Sequence, residues 1–479
     1  MVQQQSHLPT YSSMDPVSTP TLWTASDLDA WRSQMQEVHD TCQNLPYKWR
    51  MTQLKAMRRM MKEQQPALVE ALKQDLGKEE TEAIVTELEQ TRKEICFFEN
   101  NLRRLMKKKK ASSPAVLIPA FTWIEKRPLK GPGVLVIGPS NYPIFLTLHP
   151  AVGALAAGNP TIIKPSEHCP AVCKTLADLI PQYFEPSACR VALGGVEETK
   201  MLLSQPWGNV FFTGSCTVGR LVAQQTALTM TPTVLELGGK CPCYIDCHSE
   251  FDWQLVANRI IWAKTLNCGQ TCAAVDYLVL SKPALEKILP CLKKALLAQF
   301  GEDPYESELG RMVKTKPHAQ RQVELISIAE NLEVEHGGSK KTNPCQVVVG
   351  GSAQCRVDDR YICPTIVLNP PLDSRLMTEE IFGPILPIIT VENHQEAINV
   401  LRGVEQTVGT PLCLYIFSKS NKVMQEVTQL CRAGGVMHND ALVHLGNAAI
   451  PFGGLGQSGY GSYKGEYSFD VFSQSLPIM

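Results

Sequence analysis

The chain alternates short apolar runs with helical stretches, and this alternation limits its fold more than any other feature of the sequence. The apolar runs, each closed by glycine, proline or a polar residue, include "GVLVIGPSNYP", "NPTIIKPSE", "GNVFFTG" and "PTVLELGGK". Stretches with apolar residues at helical spacing, such as "AVCKTLADLI" and "VGRLVAQQTAL", separate them. Buried strands that alternate with helices form βαβ units, so the sequence predicts an α/β fold with parallel sheets covered on both faces.

The segments around this first set have different patterns. A second alternating set runs from near Cys241 to about His438. Residues 28–110 have the apolar spacing of helices, and the proline-containing stretch 113–130 is typical of an extended ribbon. The first 24 residues are rich in Gln, Ser, Thr and Pro, so we expect a disordered N-terminal tail over residues 1–27.

Composition argues against several classes of protein. A formal net charge of -1 disfavours a broad nucleic-acid surface, which needs an excess of Lys and Arg. No stretch approaches the ~18 apolar residues of a membrane span, and the N-terminal segment lacks the features of a targeting leader. The 17 cysteines are scattered through a chain of 479 residues, which can build a core without disulfides, so reduced thiols are favoured. We therefore expect a cytoplasmic protein without a nucleic-acid partner or a membrane span.

A glycine-containing turn is a candidate anion-binding site. In "NVFFTGSCTVGRLVAQ" a strand leads through Gly214, Ser215 and Gly219 into a helix, whose first N–H groups can bind an anion. The spacing Gly-x4-Gly is neither the Gly-x-Gly-x-x-Gly fingerprint nor a P-loop, so a plain strand-to-helix connection is an equal alternative. At the end of another strand, Lys164 and Glu167 in "IIKPSE" could hold a ribose or could form a surface pair.

Three further motifs carry reactive side chains. "NCGQTCAAV" contains Cys268 and Cys272, and a thiol can be a nucleophile, a metal ligand, half of a disulfide or an apolar filler. Glu236 in "VLELGGK" is a carboxylate at the end of a buried strand, which is costly unless it is paired or functional. "TEEIFGPIL" places Glu380 and Phe382 beside a Gly-Pro turn.

The segment "CPCYIDCH" has the composition of a metal-binding cluster, because it contains Cys241, Cys243, Cys247 and His248. Closed zinc sites usually combine two short ligand pairs that lie well apart in sequence, whereas these four residues lie within one short segment. We therefore expect no metal site.

Taken in order, seven motifs resemble those of the aldehyde dehydrogenase superfamily. They are "SNYP", "KPSE", "TGSCTVG", "LELGGK", "NCGQTC", "EEIFGP" and "PFGGLGQSGYGSYKGEYSFDVFS", and the resemblance runs from about residue 28 to the C-terminus. The spellings "NYP", "IPQYF" and "GQTCAAVDY" are most similar to the class 3 branch, which acts on fatty and aromatic aldehydes.

The resemblance implies catalytic roles that the chemistry of aldehyde oxidation also needs. Cys272 would be the nucleophile that forms a thiohemiacetal, and Asn141 would stabilise the oxyanion together with the Cys272 backbone N–H. Hydride would leave to a nicotinamide, and Glu236 would activate the water that hydrolyses the resulting thioester. Cys268 would be a small packed thiol, with a redox partner of Cys272 as the alternative.

The resemblance also implies a dinucleotide cofactor. The residues that would hold it are Gly214, Ser215 and Gly219 along the pyrophosphate, Lys164 and Glu167 on the adenosine ribose, and Glu380 and Phe382 on the nicotinamide ribose and ring. Because Glu167 would repel a 2′-phosphate while Lys164 could pair with one, we expect NAD to be preferred and NADP to be tolerated.

Three structural parts and a dimer follow from the same resemblance. A Rossmann-like, parallel-sheet cofactor domain would contain residues 28–112 and 131–235, and an α/β catalytic domain would contain residues 236–438. A small β bridging element would combine 113–130 with 439–479. We expect a homodimer, because the ribbon and the C-terminal tail would bury their apolar faces only against a partner subunit.

The expected activity is NAD(P)-dependent oxidation of medium- or long-chain aliphatic or aromatic aldehydes to carboxylic acids. Ser140 stands where the family often has Trp, which should widen the substrate channel, and Cys216 replaces a usual Thr. Transfer of the acyl group to phosphate or coenzyme A is one alternative function, and a catalytically silent binding protein is another. The presence of Cys272, Glu236 and Asn141 disfavours both.

Overall fold

The computed structural model of the chain describes residues 23–117, 119–246, 248–313, 316–336 and 345–479, with side chains described except at 333–336. Residues 1–22 of the predicted tail lie outside this description. For residues 23–27 the prediction of disorder is wrong, because Trp23 is buried and helix α1 begins at Ala25. The Asp27 N–H donates to the Thr24 hydroxyl at 3.2 Å, and the Thr24 N–H donates to the Asp27 carboxylate at 2.7 Å. This capping box fixes the start of the helix.

The strands are short, as is usual in compact α/β proteins. Within the described residues they are β1 Lys109–Ala111, β2 Thr122–Pro128, β3 Val134–Ile137, β4 Thr161–Lys164, β5 Cys189–Val191, β6 Asn209–Gly214, β7 Thr233–Leu237, β8 Pro242–Ile245, β9 Tyr277–Ser281, β10 Gln346–Val349, β11 Thr365–Leu368, β12 Ile385–Val391, β13 Cys413–Phe417, β14 Gly435–His438, β15 Gly459–Tyr460 and β16 Ser473–Ile478.

Helices connect most of these strands and cover the sheets. Within the described residues the α-helices are α1 Ala25–Asp40, α2 Tyr47–Glu63, α3 Gln65–Leu76, α4 Glu80–Ala83, α5 Glu89–Leu105, α6 Phe145–Ala156, α7 Pro170–Tyr183, α8 Val196–Leu203, α9 Cys216–Ala227, α10 Trp253–Thr265, α11 Lys282–Phe300, α12 Lys316–His336, α13 Arg375–Thr378, α14 His394–Val408, α15 Asn421–Leu430 and α16 Glu466–Val471.

The first large sheet has six strands in the order β15-β7-β6-β3-β4-β5. Strands β3 and β4 are buried on both faces, and their sequences "VLVI" and "TIIK" supply the apolar, β-branched side chains that such strands need. The chain builds outward from β3 to β4 and β5 and then returns to β6 and β7, so the strand order reverses between β3 and β6. Ligands of such sheets bind at the carboxyl ends of the strands near this reversal.

Strand β7 carries Glu236 and runs through the predicted domain boundary between residues 235 and 236. Strand β15 of the C-terminal tail pairs antiparallel with β7, with Gly459 opposite Glu236. Gly459 has a φ of +119°, and a Cβ there would lie 1.9 Å from the Leu235 carbonyl oxygen, so glycine is needed for this approach. The predicted base therefore lies in the same sheet as the predicted dinucleotide-binding turn, with the tail packed along its edge.

The second large sheet has seven strands in the order β10-β11-β12-β9-β8-β13-β14. Its pairs are parallel except for β10 with β11. Strands β8, β9 and β13 are buried along their whole length, and helices α10 and α11 supply part of the core on one face. The strand order reverses between β8 and β13, where Tyr415 lies opposite Cys243.

The third sheet contains three antiparallel strands in the order β1-β2-β16. The register between β2 and β16 runs from Pro128 opposite Ser473 to Trp123 opposite Ile478. The ribbon and the end of the chain thus pair with each other, although β1 begins before residue 113. The predicted α/β class, with two largely parallel sheets and a smaller β element, is confirmed.

Candidate active site

The side chains with predicted catalytic functions meet at the carboxyl edge of the six-stranded sheet. Asn141 follows β3, Gly214 ends β6, and Glu236 is the penultimate residue of β7. Parallel strands end at the same edge of a sheet, so these positions are neighbours in space. Cys272 reaches this edge from the other half of the chain, after α10 and the 3-10 turn Leu266–Gly269.

The loop before Cys272 has an unusual backbone. Asn267, Cys268 and Gly269 all have positive φ angles, of 55°, 54° and 74°. Left-handed backbone costs a non-glycine residue roughly 1–2 kcal/mol. A Cβ at Gly269 would lie 2.3 Å from the carbonyl carbon of Gly383, so glycine lets the "EEIFGP" segment pack against this loop. Strain of this kind persists only where surrounding contacts enforce it.

Hydrogen bonds from the loop after β3 supply those contacts. The Asn267 amide donates to the carbonyls of Asn141 at 2.8 Å and Gln270 at 3.1 Å, and the Asn141 amide donates to the Gln270 carbonyl at 2.9 Å. The hydroxyls of Tyr142 and Thr271 are 2.7 Å apart. Asn141 is thereby held beside the backbone of the predicted nucleophile. Its amide has two N–H donors, so it can bond to Gln270 and to a substrate oxygen together.

The loop after β3 is itself held by a buried carboxylate. Glu87 lies in a π-helical turn, Ile84–Leu88, and accepts hydrogen bonds from the N–H groups of Ile144 at 2.9 Å and Phe145 at 3.0 Å. Lys78 pairs with Glu87 at 2.6 Å, and both side chains are buried. The sequence analysis missed Glu87, although a glutamate inside the apolar pattern "IVTELE" was an available signal.

The two cysteines of the motif have different surroundings. Cys268 is fully buried and its sulfur contacts that of Met312 at 4.0 Å, which agrees with the predicted packed thiol. Cys272 is half-buried. Burial raises the pKa of the Cys272 thiol, and the negative charges of Glu380 and Glu236 raise it further. The thiol therefore needs a base or an electrostatic change before it can react as a thiolate.

Glu236 is buried, and within the described part of the chain neither of its carboxylate oxygens has a hydrogen-bond partner. Burial raises the pKa of Glu236 well above its ordinary value, although the positive charge of Lys464 acts in the opposite direction. An unpartnered buried carboxyl group destabilises the fold. Groups of this kind are typical of positions that bind or react.

Lys464 is a buried cation near Glu236 that the sequence analysis missed. Its ammonium group donates to the Leu445 carbonyl at 2.5 Å. Burial lowers the pKa of Lys464 to about 8, opposed by the negative charges of Glu94 and Glu236. Burial likewise raises the pKa of Glu94 to about 7, although the Gly465 N–H donates to this carboxylate at 2.9 Å. The lysine is visible in "GSYKGEY", but no local pattern indicates that it lies beside β7.

Glu380 reaches the glycines that follow Glu236 in the chain. A Cβ at Gly238 would lie 2.3 Å from Glu380 Oε2, so the carboxylate rests on the backbone of this motif. Burial raises the pKa of Glu380 to about 8, and the negative charge of Asp276 acts in the same direction. Arg321 fixes the loop by donating to the Glu380 carbonyl at 2.6 Å.

The segment around Phe382 is held on several sides. Phe382 has a φ of +54° and is half-buried. The Ile381 N–H donates to Asp276 Oδ1 at 3.2 Å, and the Gln322 amide donates to the Ile381 carbonyl at 2.7 Å. Lys240 pairs with Asp276 at 2.5 Å, with both side chains buried. Sequence reasoning did not identify these supports, since they come from distant parts of the chain.

Gly214, Ser215 and Gly219 form the predicted strand, turn and helix. The Ser215 hydroxyl caps the 12-residue helix α9 by accepting from the Val218 N–H at 3.3 Å. A Cβ at Gly219 would lie 2.6 Å from Leu237 Cδ2, so glycine allows α9 to pack closely on β7. The helix N-terminus is thereby held at the carboxyl edge of the sheet, where its N–H groups suit an anion.

Lys164 and Glu167 are paired at 2.8 Å at the end of β4. Lys164 is buried, whereas the Glu167 side chain is 39% exposed. The two residues are therefore not a plain surface pair, because the lysine is not at the surface. Burial opposes ionisation of Glu167, but the hydrogen bond from Lys164 and its charge lower the pKa of this carboxyl overall. The ion pair is therefore anchored at the sheet edge and leaves a carboxylate partly open to a ligand.

Comparison with known proteins shows the family of the chain. Residues 3–476 match the aldehyde dehydrogenase family. The chain belongs to this family. It is 38% identical over 449 residues to aldehyde dehydrogenase family 3 member A2 of Rattus norvegicus, covering 93% of this chain and 87% of the relative. It is 40% identical over 442 residues to family 3 member B1 of Bos taurus, covering 92% of this chain and 88% of the relative.

A solved structure gives the same result for the fold. The substrate-bound state of Staphylococcus aureus AldH is 35% identical, has a TM-score of 0.86, and matches over 94% of this chain and 93% of that one. As an aldehyde dehydrogenase the chain is an oxidoreductase that oxidises aldehydes with NAD or NADP, and this part of the predicted activity is confirmed. The alternatives of acyl transfer and of a silent relative are not favoured.

The described residues also show the following about membrane helices and metal ligands. None of the helices found there is long and apolar enough to cross a membrane. Over the same residues, no group of three or more His, Cys, Asp or Glu side chains is arranged to hold a metal ion. Cys247 of the segment "CPCYIDCH" lies outside the described residues.

Proposed function

We propose that Cys272 is the nucleophile, Glu236 the base and Asn141 the oxyanion donor of this aldehyde dehydrogenase. The observation that carries the proposal is the convergence of a half-buried thiol, an unpartnered buried carboxyl and an amide at one sheet edge. Each group matches one need of aldehyde oxidation: attack on carbon, activation of water and stabilisation of an oxyanion.

In the first step the Cys272 sulfur attacks the aldehyde carbon. The thiol proton passes to a solvent water molecule, and because burial opposes the charged thiolate, this transfer accompanies formation of the sulfur–carbon bond. The aldehyde oxygen becomes an oxyanion. The Asn141 amide and the Cys272 backbone N–H stabilise it, because both donors are preorganised by the contacts with Gln270 and Thr271.

Collapse of this oxyanion expels a hydride and leaves a thioester on Cys272. A nicotinamide dinucleotide, when bound, would supply the hydride acceptor. Glu236 then takes a proton from a water molecule, and the resulting hydroxide attacks the thioester carbon and releases the carboxylic acid and the Cys272 thiol. Since burial raises the pKa of Glu236, the ionised carboxylate is a stronger base towards water than an exposed glutamate would be.

The chemistry of the sheet edge fits a dinucleotide. A helix N-terminus above a glycine-containing turn suits the pyrophosphate, and Gly214, Ser215 and Gly219 are the residues that we propose to lie along it. Glu380 and Phe382 would hold the nicotinamide ribose and ring. We propose that the six-stranded sheet is the cofactor domain and the seven-stranded sheet the catalytic domain, with the three-stranded sheet as the bridging element.

The proposed chemistry predicts that water, not phosphate or coenzyme A, receives the acyl group. Purified protein with hexanal and NAD should release hexanoate and reduced cofactor in equal amounts without any added acyl acceptor. A requirement for phosphate or coenzyme A, with an acyl phosphate or acyl thioester as product, would contradict the role of Glu236.

Cofactor choice should depend on Glu167. Its carboxylate would accept a hydrogen bond from the adenosine 2′-hydroxyl and repel a 2′-phosphate, so we expect a higher kcat/KM with NAD than with NADP. Glu167→Gln should lower the NAD-to-NADP ratio of kcat/KM by about tenfold, the loss of one charged hydrogen bond. Glu197→Gln is the matched control, since Glu197 forms an exposed three-apart pair with Lys200. A ratio unchanged in Glu167→Gln would rule out the assigned contact.

Substrate preference should follow chain length. We propose medium- or long-chain aliphatic and aromatic aldehydes as substrates, because Tyr142 and Phe145 place two aromatic rings 6.5 Å apart beside Asn141. Each additional buried methylene contributes about 0.8 kcal/mol, close to a fourfold rise in kcat/KM. A series of aldehydes from two to sixteen carbons at fixed NAD measures this rise, which Phe145→Ala should reduce.

The control for this series is Phe251→Ala. Phe251 lies in the other half of the chain, where its ring centroid is 5.3 Å from that of Trp253. This variant should leave the dependence on chain length unchanged. A series that is flat, or one that favours acetaldehyde, would contradict the proposed binding surface.

We propose that the chain forms a homodimer. The proposal is supported by apolar side chains exposed beside the three-stranded sheet, where Val116 is 88% exposed and Phe121 is 71% exposed. Light scattering at micromolar concentration should give about twice the 53.0 kDa of one chain. Phe121→Asp should shift the mass towards the monomer, whereas Leu372→Asp, at another exposed position, should not. A monomeric wild-type protein would contradict the proposal.

A cytoplasmic location is also proposed. It is supported by the cysteines of the described residues, all of which are free thiols. Cell fractionation should recover the protein with the cytosol, and recovery mainly in a membrane pellet at physiological salt would contradict the proposal.

A further inference from the structure

Cys241 and Cys413, which the catalytic mechanism does not use, lie together beside the proposed nucleophile. Strands β8 and β13 are parallel neighbours. Cys413 is the first residue of β13, and Cys241 immediately precedes β8. Both cysteines are buried. Neighbouring strands are about 4.8 Å apart, which falls within the Cα separations of roughly 4.4–6.8 Å that disulfides span.

The contacts of this pair reach the nucleophile on one side and an imidazole on the other. The Cys413 N–H donates to Cys241 Sγ at 3.2 Å, and Cys413 Sγ lies 3.4 Å from His444 Nε2. The Cys241 thiol donates to the Cys272 carbonyl at 3.3 Å. The pair therefore connects His444 to the backbone of the active-site cysteine through direct contacts.

The two thiols have opposite acid strengths. Contact with the Cys241 side chain lowers the pKa of Cys413, and contacts with His444 and Tyr415 lower it further against the effect of burial. Burial raises the pKa of Cys241. A thiol of lowered pKa beside a thiol of raised pKa is the arrangement in which the first sulfur is oxidised and the second resolves it.

We propose that Cys241 and Cys413 form an oxidative modification site that reacts with a hydroperoxide. The Cys413 sulfur attacks one peroxide oxygen, the O–O bond breaks, and Cys413 becomes a sulfenic acid while the leaving oxygen departs as water or an alcohol. The Cys241 sulfur then attacks the Cys413 sulfur and displaces the hydroxyl group as water. Two thiols are oxidised to one disulfide as one peroxide is reduced, and His444 accepts and returns the proton.

Formation of this disulfide changes the support of the nucleophile. Cys241 loses the S–H that donates to the Cys272 carbonyl, while the Tyr415 hydroxyl continues to hold the next carbonyl, that of Ala273, at 2.6 Å. We expect aldehyde oxidation to fall several-fold and to recover on reduction. The disulfide itself does not depend on the proposed function, whereas this loss of activity rests on the proposed role of Cys272.

Peptide mapping of the full-length protein tests the modification. The reduced Cys272→Ala variant, which cannot be oxidised at the nucleophile, is treated with hydrogen peroxide, alkylated and digested, and its peptides are identified by mass spectrometry. A Cys241–Cys413 cross-linked peptide is expected there and in the wild type. Cys243→Ala, which removes a buried thiol opposite Tyr415, should retain the cross-link, and Cys413→Ala should leave Cys241 alkylated.

Free Cys241 and Cys413 in the wild type and in Cys272→Ala, after peroxide has oxidised other cysteines, would overturn the proposal. This result does not require any variant of the pair to fold, because it is read from proteins that retain both cysteines. Activity is the second measurement. Wild-type protein should lose activity as the cross-link forms and regain it with dithiothreitol. A cross-link without any change in activity would overturn only the proposed effect on Cys272 and would leave the modification site standing.

Discussion

Replacing Cys272 with serine should reduce aldehyde oxidation by on the order of 10⁴-fold or more, while nucleotide binding stays intact. A serine hydroxyl is a far weaker acid than a thiol, and burial at this position already opposes formation of an anion. A serine alkoxide is also a poor leaving group compared with a thiolate, so a later acyl intermediate would be hydrolysed slowly. Steady-state formation of reduced cofactor measures the first effect, and titration of nucleotide binding measures the second.

The matched control is Cys268→Ala. Cys268 lies four residues earlier in the same loop, but it is fully buried against Met312. This variant should retain most of its activity if it folds, since its sulfur does not face the substrate. Turnover above trace level in Cys272→Ser, or equal losses in both variants, would show that Cys272 is not the nucleophile.

Replacing Glu236 with glutamine should produce the second large effect, a burst of reduced cofactor followed by slow turnover. The substitution preserves shape, and it breaks no hydrogen bond among the described residues because both carboxylate oxygens lack a partner there. Loss of a general base typically costs about 10²–10⁴-fold. We therefore expect a burst close to one reduced cofactor per active site and a steady rate reduced by that factor, measured by stopped-flow absorbance.

The pH dependence gives a further check on Glu236. Burial raises the pKa of Glu236 well above its ordinary value, so the unprotonated base becomes populated only as the pH rises through this raised pKa. The hydrolysis rate of the wild type should therefore increase as the pH rises towards this raised pKa, and Glu236→Gln should lose this increase.

Glu94→Gln is the control for the burst measurement with Glu236→Gln. Glu94 is another buried carboxyl group whose pKa is raised, but it accepts hydrogen bonds from the Gly465 N–H. Its variant should show linear cofactor reduction without a burst. Absence of a burst in Glu236→Gln, together with a slow first turnover, would instead place Glu236 in activation of the thiol.

The sequence predicted those parts of the site that are written in short local motifs. The strand that ends in Gly214, the helix that follows Ser215 and the carboxylate near the end of β7 are each visible as an apolar run with its closing residues. Local chemistry suggested Glu236, because a carboxylate in a buried strand is costly. The family resemblance supplied the role of Cys272, which local pattern alone left open.

Other parts of the site depend on contacts between distant residues, which no short motif encodes. The left-handed backbone at Asn267 is held by the Asn141 carbonyl, 126 residues away. Lys464 lies near Glu236 because Gly459 permits β15 to pair with β7, and the boundary predicted after residue 235 did not anticipate this pairing. Glu87, which holds the start of α6, is another long-range support of the same kind.

Covalent catalysis at Cys272 is tested most directly by the identity of the acylated residue. Glu236→Gln is mixed with hexanal and NAD, quenched in acid within the burst, digested and analysed by mass spectrometry. We expect a hexanoyl thioester on the peptide that contains Cys272, in an amount equal to the burst. Reduced cofactor formed in a burst without an acyl group on Cys272, or with the acyl group on another residue, would contradict covalent catalysis at Cys272.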